Sequence, residues 1–561
     1  MIRSNYTSLT VGGQSLIDDM LREQQSLTAV DRFSQRHDQG DAPSQQKYYR
    51  DLIPAAGPSE GQQYAFEVDL DACSGCKSCV AACHNLNGLD ETETWRDVGQ
   101  LIDTGYTAGP AIQHVTTACH HCLEPACLDG CPVMAYEKDP VTGIVKHLDD
   151  QCIGCQYCIL KCPYDAPKFN ADLGIVRKCD MCSDRLAVGE APACVQSCPT
   201  NAISIKIVDT EDVREKTRDM QFLTGAPEPD YTLPTTNYKT TRDLSMARSA
   251  DEHRVVPEHA HLPLVIMLVL TQLSVGGFLL GWLLEQLDPQ AFTGTLRSVH
   301  AAVSLSLGML ALGASTLHLG RPMYAFRAVI GLRTSWLSRE IVGFGMFAKL
   351  AAAYAGCLWF APELGGGMVK TALGASVVMI GLAAVLCSVM IYHDTRRVFW
   401  RGPRTWVKFY LTALVLGAAT TLLAGLGAAL LDGTDVLKTF LTIWGRPLFV
   451  LLISATVAKL LFEASVFRHL RSRTYTPMRR SATLMVSELH QTTVARFMLG
   501  LVGGVIIPGL LLISGPGGLT TVAMFIAVVA VVVMITVGEL LERYLFFTAV
   551  VAPRMPGGLG S

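Results

Sequence analysis

At 561 residues the chain is too long for one ordinary domain, and half of it is hydrophobic. Its net charge of −3 excludes a chain that is basic throughout, and the only rich basic loops border apolar runs, so a nucleic-acid role has no support. Residues 1–250 carry 22 Lys+Arg and 35 Asp+Glu, a balance of −13, whereas 251–561 carry 24 and 14, a balance of +10. Such a split predicts two modules of different nature that attract each other.

The first segment, residues 1–62, has neither the apolar core of a secretory signal nor a twin-arginine pair. Its stretch SLIDDMLREQQSLTAV has helical periodicity and reads as an amphipathic docking helix, with a polar strap following over 33–62. QQYAFEVDLDAC then reads as a strand leading into the first of four cysteine groups.

Sixteen of the eighteen cysteines lie between Cys73 and Cys198. Cys357 and Cys387 stand alone in apolar runs and read as small core residues. CSGCKSCVAAC places Cys73, Cys76, Cys79 and Cys83; CHHCLEPACLDGCP places Cys119, Cys122, Cys127 and Cys131. CIGCQYCILKCP supplies Cys152, Cys155, Cys158 and Cys162, and CDMCSDRLAVGEAPACVQSCP supplies Cys179, Cys182, Cys194 and Cys198. Zinc ribbons use two separated C-x-x-C pairs and have no use for a third thiol in the same turn. Disulfides suit small secreted domains, and nothing here marks secretion. Three thiolates wrapped around one cubic cluster, with a fourth pointing to a neighbouring cluster, account for the spacing and require the motifs to come in pairs. Four motifs therefore predict four [4Fe–4S] clusters and a module that carries electrons.

This run, over about residues 64–208, resembles the four-cluster electron-transfer subunit of dimethyl sulfoxide reductase-type molybdoenzymes; KCDMCSDR and CPTNAI fit it as well. The resemblance implies that the first motif pairs with the fourth and the second with the third. Cys73, Cys76, Cys79 and Cys198 would share one cluster, and Cys179, Cys182, Cys194 and Cys83 the next. Cys119, Cys122, Cys127 and Cys162 would hold a third, and Cys152, Cys155, Cys158 and Cys131 the fourth. His84 follows Cys83 where the other motifs end in Cys-Pro. The implied fold is an α+β ferredoxin-like domain over 63–208, with 209–260 a polar connector laid over its surface.

From residue 262 onward, apolar runs long enough to cross a bilayer recur at about 262–284, 297–317, 341–360, 368–391, 408–430, 441–463, 496–514 and 519–541. They predict an all-α membrane anchor of eight helices over 261–550. Loops on the cluster-module side hold fifteen Lys+Arg against four on the far side, which puts the module in the cytoplasm and the protein in the inner membrane. Of the histidines at His300, His318, His393, His469 and His490, none pairs at equal depth inside helices, so no haem is expected.

A quinone needs only a slot at the membrane edge with hydrogen-bonding and proton-accepting groups, and the loop LHLGRPMYAFRAVIGLRTSWLSREI supplies them. HLGRP…SWLSREI and GELLERYLFF resemble the eight-helix anchor subunit of dimethyl sulfoxide reductase, over about 260–550. By that likeness His318 and Glu340 bind and oxidise quinol, menaquinol or ubiquinol. Arg321, Arg327, Arg339, Tyr324 and Trp336 are expected as wall residues, although Arg333 and Trp336 also read as interfacial anchors. Lys349, inside a predicted helix, is a functional candidate, and Lys459 and Glu463 read as an i,i+4 pair.

The expectation is a fusion of electron-transfer and anchor subunits, linking the quinone pool to a separate catalytic subunit that holds molybdopterin. No pterin- or substrate-binding signature appears in this chain. Nitrate, sulfite, formate and S- or N-oxides all suit such wiring, in either direction. An anchor for a nickel hydrogenase is the alternative. A redox-gated ion pump would need charges deep in several helices, and in the predicted spans only Lys349 comes close.

Overall fold

The computed structural model describes residues 10–11, 14–26, 28–39, 46–103, 111–220, 222–288, 294–360, 367–433, 439–514 and 520–557. Two short helices, Leu16–Gln25 and Ala29–Asp38, precede the cluster module. The module is built on two small sheets and two hairpins. β1 (Gln62–Asp69) buries Ala65, Phe66 and Val68. The further strands are β2 (Asp97–Asp103), β3 (Ala111–Thr117), β4 (Tyr136–Lys138), β5 (Val145–His147), β6 (Lys168–Asn170), β7 (Ile175–Arg177), β8 (Ile203–Asp209), β9 (Asn237–Lys239) and β10 (Arg248–Ser249). β1 pairs antiparallel with β8, Phe66 opposite Ile205, and parallel with β9, Val68 opposite Tyr238. β2 pairs antiparallel with β3 and β10, while β4–β5 and β6–β7 close as hairpins.

The connector expected to lie over the surface is instead woven into the module. It contributes the helix Thr210–Arg218 and the strands β9 and β10, each completing a sheet. Lacking periodicity, these short pieces gain their structure from edges that β1 and β2 would otherwise leave unpaired.

Among the described residues, eight helices are long and apolar enough to cross a membrane: α1 Leu262–Leu287, α2 Gly294–Thr316, α3 Trp336–Phe360, α4 Met368–His393, α5 Pro403–Asp432, α6 Leu441–Arg471, α7 His490–Ser514 and α8 Val522–Thr548. α1 and α5 are the most buried. Their backbones touch: a Cβ on Gly276 would fall 1.8 Å from the Ala413 carbonyl oxygen, the close approach that small residues permit in lipid. Several helices run past the ends that hydropathy suggests. α3 starts at Trp336, α7 at His490, and α8 continues to Thr548, so charged residues read as loop lie within helices.

The two halves are joined by polar contacts. Lys161 pairs with Asp394 at 2.6 Å and Arg396 with Asp230 at 2.8 Å. Ser335 Oγ donates to the Gly130 carbonyl at 2.7 Å, and the Gly331 N–H to that of Pro132 at 2.8 Å. Gly154, Gly174 and Gly320 meet main chain to main chain: a Cβ on Gly320 would fall 2.1 Å from the Gly174 oxygen. Beyond α8 the chain returns to the module, where Gly557 N–H donates to Ser249 Oγ and the Gly557 carbonyl accepts from Gln100 N–H. Both flanks of the eight-helix bundle therefore lie on the module's side.

Candidate functional site

Each cysteine group sits on a tight turn followed by a short helix. Gly75 and Gly154 take φ of +73° and +68°, and Lys77 and Gln156 take left-handed conformations as N-caps. The resulting curl carries the first three thiols of a motif around one centre and sends the fourth away along the helix.

The thiols gather into four sets across motifs. Cys73 lies within electrostatic reach of Cys76, Cys79 and Cys198, and Cys83 within reach of Cys182, Cys194 and Cys179. Cys119, Cys122, Cys127 and Cys162 line one pocket, and Cys158 lies within electrostatic reach of Cys131, Cys152 and Cys155. All eighteen cysteines are unbridged. Among the described residues no three His, Cys, Asp or Glu side chains close on a point as ligands of a single ion do. Burial pushes the Cys83 thiol up to about 12 and Cys162 to about 11, so these thiols are inert until a metal deprotonates them. Backbone N–H groups point at the sulfurs, from Ala135 to Cys131 and from Ala202 to Cys198 at 3.2 Å each. The donor set thus fits thiolate-bound iron–sulfur clusters, with N–H bonds placed to tune them.

Two buried cations sit between the sets. Burial opposes charge on Arg96, but the thiolates of Cys194, Cys79 and Cys179 push its pKa up. Lys178 is likewise held charged against burial by Cys119, Cys127 and Cys179. Sequence reasoning passed over both, because neither belongs to a cysteine motif; KC at 178–179 was the nearest signal. Arg96 joins the first two sets and Lys178 the second and third, which orders them in space. Cys76, of the first set, is exposed.

At the opposite end lies the loop after α2. His318 Nε2 lies 3.2 Å from the carbonyl oxygen of Cys155, a member of the fourth set. Burial, opposed by that hydrogen bond, lowers its pKa, so the neutral ring donates through Nε2 and leaves Nδ1 as an acceptor. Its ring meets His261 edge-on, centroids 5.4 Å apart, and His261 meets His259 at 4.6 Å. Glu340 lies in the second turn of α3, only 2 % exposed, with the Ser388 hydroxyl donating to its carboxylate. Tyr157 and Tyr392 lie within electrostatic reach of it. His318 thus contacts Cys155, and Glu340 lies within electrostatic reach of Tyr157 two residues on.

The other expected wall residues do different work. Arg321 donates to the carbonyls of Asp149 (2.9 Å) and Leu173 (3.3 Å), and Arg327 to that of Asp150 (2.7 Å). Both clamp the loop to the cluster module, with Tyr324 under the Arg327 guanidinium. Arg339 donates to the Leu332 and Arg333 carbonyls and covers Trp336 at 4.3 Å. Its guanidinium is therefore engaged by the loop and makes no bond to Glu340.

Lys349 is exposed on the outer face of α3, so it is no interior group. Deep charges exist elsewhere. Lys459, Glu463, Arg496, Glu539, Glu542 and Arg543 are all buried among α6, α7 and α8. Lys459 bonds Glu539 and Thr412, Arg496 donates to Glu463 and to Glu539 at 2.9 Å, and Arg543 donates to Gln272 at 3.0 Å. The expectation that only Lys349 lies deep is thus corrected. Hydropathy ends a span at its first charges, whereas α7 and α8 run through theirs. The charges offset one another inside the bundle, as interhelical polar contacts do.

Comparison with known proteins fits both halves. The family described as DMSO reductase anchor subunit (DmsC) matches residues 258–549, and a 4Fe-4S dicluster domain matches residues 111–208. The B subunit of anaerobic dimethyl sulfoxide reductase from Escherichia coli (strain K12) is 35% identical over 179 residues, 31% of this chain and 86% of that relative. The formate dehydrogenase-O iron-sulfur subunit of the same strain is 35% identical over 190 residues, 30% of this chain and 63% of the relative. Hydrogenase-2 operon protein HybA of Escherichia coli O157:H7 is 34% identical over 160 residues, 24% of this chain and 49% of the relative.

Proposed function

The protein belongs to the DMSO reductase anchor subunit family, fused to an iron–sulfur module like the reductase's B subunit, and we propose that it moves electrons between the quinone pool and a separate molybdopterin-containing catalytic subunit. The observation that carries this reading is the hydrogen bond from His318 to Cys155, which seats the quinone loop directly on the fourth thiolate set. Each of the four sets would hold one [4Fe–4S] cluster, a group that accepts and gives up one electron at a time.

The chain's own residues supply the rest. Quinol oxidation releases two electrons and two protons. His318, held in one tautomer by Cys155, offers Nδ1 to a quinol hydroxyl. Glu340, shielded from water and bonded by Ser388, is the carboxylate that takes a proton. Arg96 and Lys178 offset negative charge between the sets. The exposed end at Cys76 marks the face for the catalytic subunit.

The module faces the cytoplasm in this reading. Arg321, Arg327 and Arg396 are engaged by the module and Arg496 lies inside the bundle; the excess of Lys+Arg on this side remains without those four.

Purification of the native complex in mild detergent, with metal analysis and identification of the co-purifying large subunit, tests the reading. Molybdenum or tungsten beside about sixteen irons or more is expected. Nickel would favour the second reading, a hydrogenase anchor, to which the HybA likeness points. Iron with no partner subunit would refute both.

A further inference from the structure

The ends of α5 and α6 on the module's side carry arginines that the protein leaves unanswered. Residues 395–431 and 464–487 contain no Asp or Glu. The carboxylates nearby are taken by others: Asp394 by Lys161, Asp230 by Arg396 and Glu542 by Lys408. Arg397, which lines one cavity at the joint with His261, lies over Trp400 at 4.9 Å. Among the described residues no carboxylate stands at ion-pair distance from Arg401, Arg404, Arg468, Arg471, Arg473 or Arg479.

Three groups in these segments come together. Arg404, in the first turn of α5, is half-buried and within electrostatic reach of Arg468, in the last turn of α6. His469 lies within reach of both, and its Nε2 is buried without a partner. Arg404 Nη1 sits 2.8 Å from Met478 Sδ, a weak acceptor that holds the guanidinium in place without offsetting its charge. Like charges this close repel, and a cation in the first turn of a helix also opposes the helix dipole. α5 has Gly402 as its N-cap, no side-chain cap and no acidic residue in its first turn, so its leading N–H groups add to the positive potential. The corner carries a repulsion that a bound anion relieves.

The surroundings identify the anion. The crevice that Arg404 shares with Lys408, Ser465 and Met478 has a volume of about 30 Å³, room for water but too small for a phosphate, so the anion lies outside it. The corner is at the depth of lipid headgroups: Trp406, two residues on, is half exposed and packs on Tyr410 at 5.0 Å, as interfacial aromatics do. Phe467 meets Phe497 at 6.1 Å, so α7 flanks this end of α6. On these two helices Leu461, Val494 and Met498 are exposed, a face for acyl chains. Free phosphate or an acidic protein segment gains nothing from that face. With no Asp or Glu to meet an ammonium or choline group, the corner favours a lipid of net negative charge.

We propose that this corner binds the phosphate of an anionic phospholipid, with Arg404 and Arg468 donating to its oxygens and the acyl chains lying along α6 and α7. The lipid cancels the repulsion between two helix ends and ties α5 to α6 on the module's side. The site stands apart from the quinone reading and does not depend on it.

The experiment uses the complex purified with its large subunit and stripped of lipid in detergent. It is titrated with phosphatidylglycerol, phosphatidylcholine or inorganic phosphate, and bound molecules are counted by native mass spectrometry. Phosphatidylglycerol is expected to bind its tightest site about tenfold more strongly than phosphatidylcholine binds. Arg468→Gln should weaken it about fivefold, the weight of one arginine at an anionic surface, Arg404→Gln with Arg468→Gln should weaken it further, and Arg468→Lys least. Lys349→Gln, on the outer face of α3, leaves it unchanged. Equal affinity for the two lipids overturns the inference, as does unaltered phosphatidylglycerol binding in the double variant. Inorganic phosphate bound as tightly as the lipid overturns it in favour of a free-anion site. Binding that appears only once the large subunit is removed overturns it in favour of a protein contact. Should the double variant fail to assemble, the unmodified complex decides the matter: phosphatidylglycerol with a photoreactive headgroup must label residues 401–410 or 464–480, and labelling only elsewhere overturns the inference.

Discussion

The cluster module and the membrane bundle encode their chemistry in opposite ways. In the module the ligands are spelled locally: three thiols within seven residues in the first and third motifs, on turns whose geometry the intervening glycines permit. In the bundle the chemistry is assembled by packing. Lys459, Arg496 and Glu539 come from three helices and share no spacing, yet they bond one another out of water. Local motifs announce themselves in one dimension; packed networks exist only in three.

Substitutions can sharpen or break that contrast. The largest effect is expected from Cys155→Ser, which removes a thiolate of the fourth set and keeps the main-chain carbonyl that His318 contacts. Iron should fall by about a quarter and quinol-linked reduction should be abolished; retention of full iron would refute the set. Glu340→Gln should lower quinol turnover by about 10²-fold or more with cluster spectra unchanged, and stopped-flow reduction reads it. Lys459→Met leaves Glu539 and Glu463 partly unpaired in the bundle. The expected loss is about 3–5 kcal/mol, visible as earlier thermal unfolding of the membrane half, with cluster spectra as an internal control. An unchanged midpoint would mean that the network holds nothing together.

Smaller effects follow at the joint and on the lipid face. Gly320→Ala drives a methyl into the Gly174 carbonyl, and about 1–3 kcal/mol of overpacking should loosen module from bundle; limited proteolysis of the connector reports it. Lys349→Leu, on the outer face, should change stability by no more than about 0.5 kcal/mol and leave turnover alone.

How far the sequence could be read follows the same division. The cysteine groups, the lead strand β1 and eight apolar spans are all visible as spacing or periodicity. His318 and Glu340 were legible as charge out of place between apolar runs. Arg321 and Arg327 stood in the same loop, and nothing local distinguishes an arginine that lines a pocket from one that clamps a neighbouring domain. Arg397 and His261 were invisible as a pair, because 136 residues separate them and only the packing of α1 against α5 brings the ends of these helices together. β9 and β10 escaped because their order comes from the strand edges they complete.

The contact of Gly154, Gly174 and Gly320 fixes a length. Electron hops slow exponentially as the gap widens, and here the gap between loop and fourth thiolate set is closed by main chain against main chain. Side chains around it can change size without lengthening the hop. For the electron transfer proposed above, the rate at the joint is then set by a ruler made of backbone.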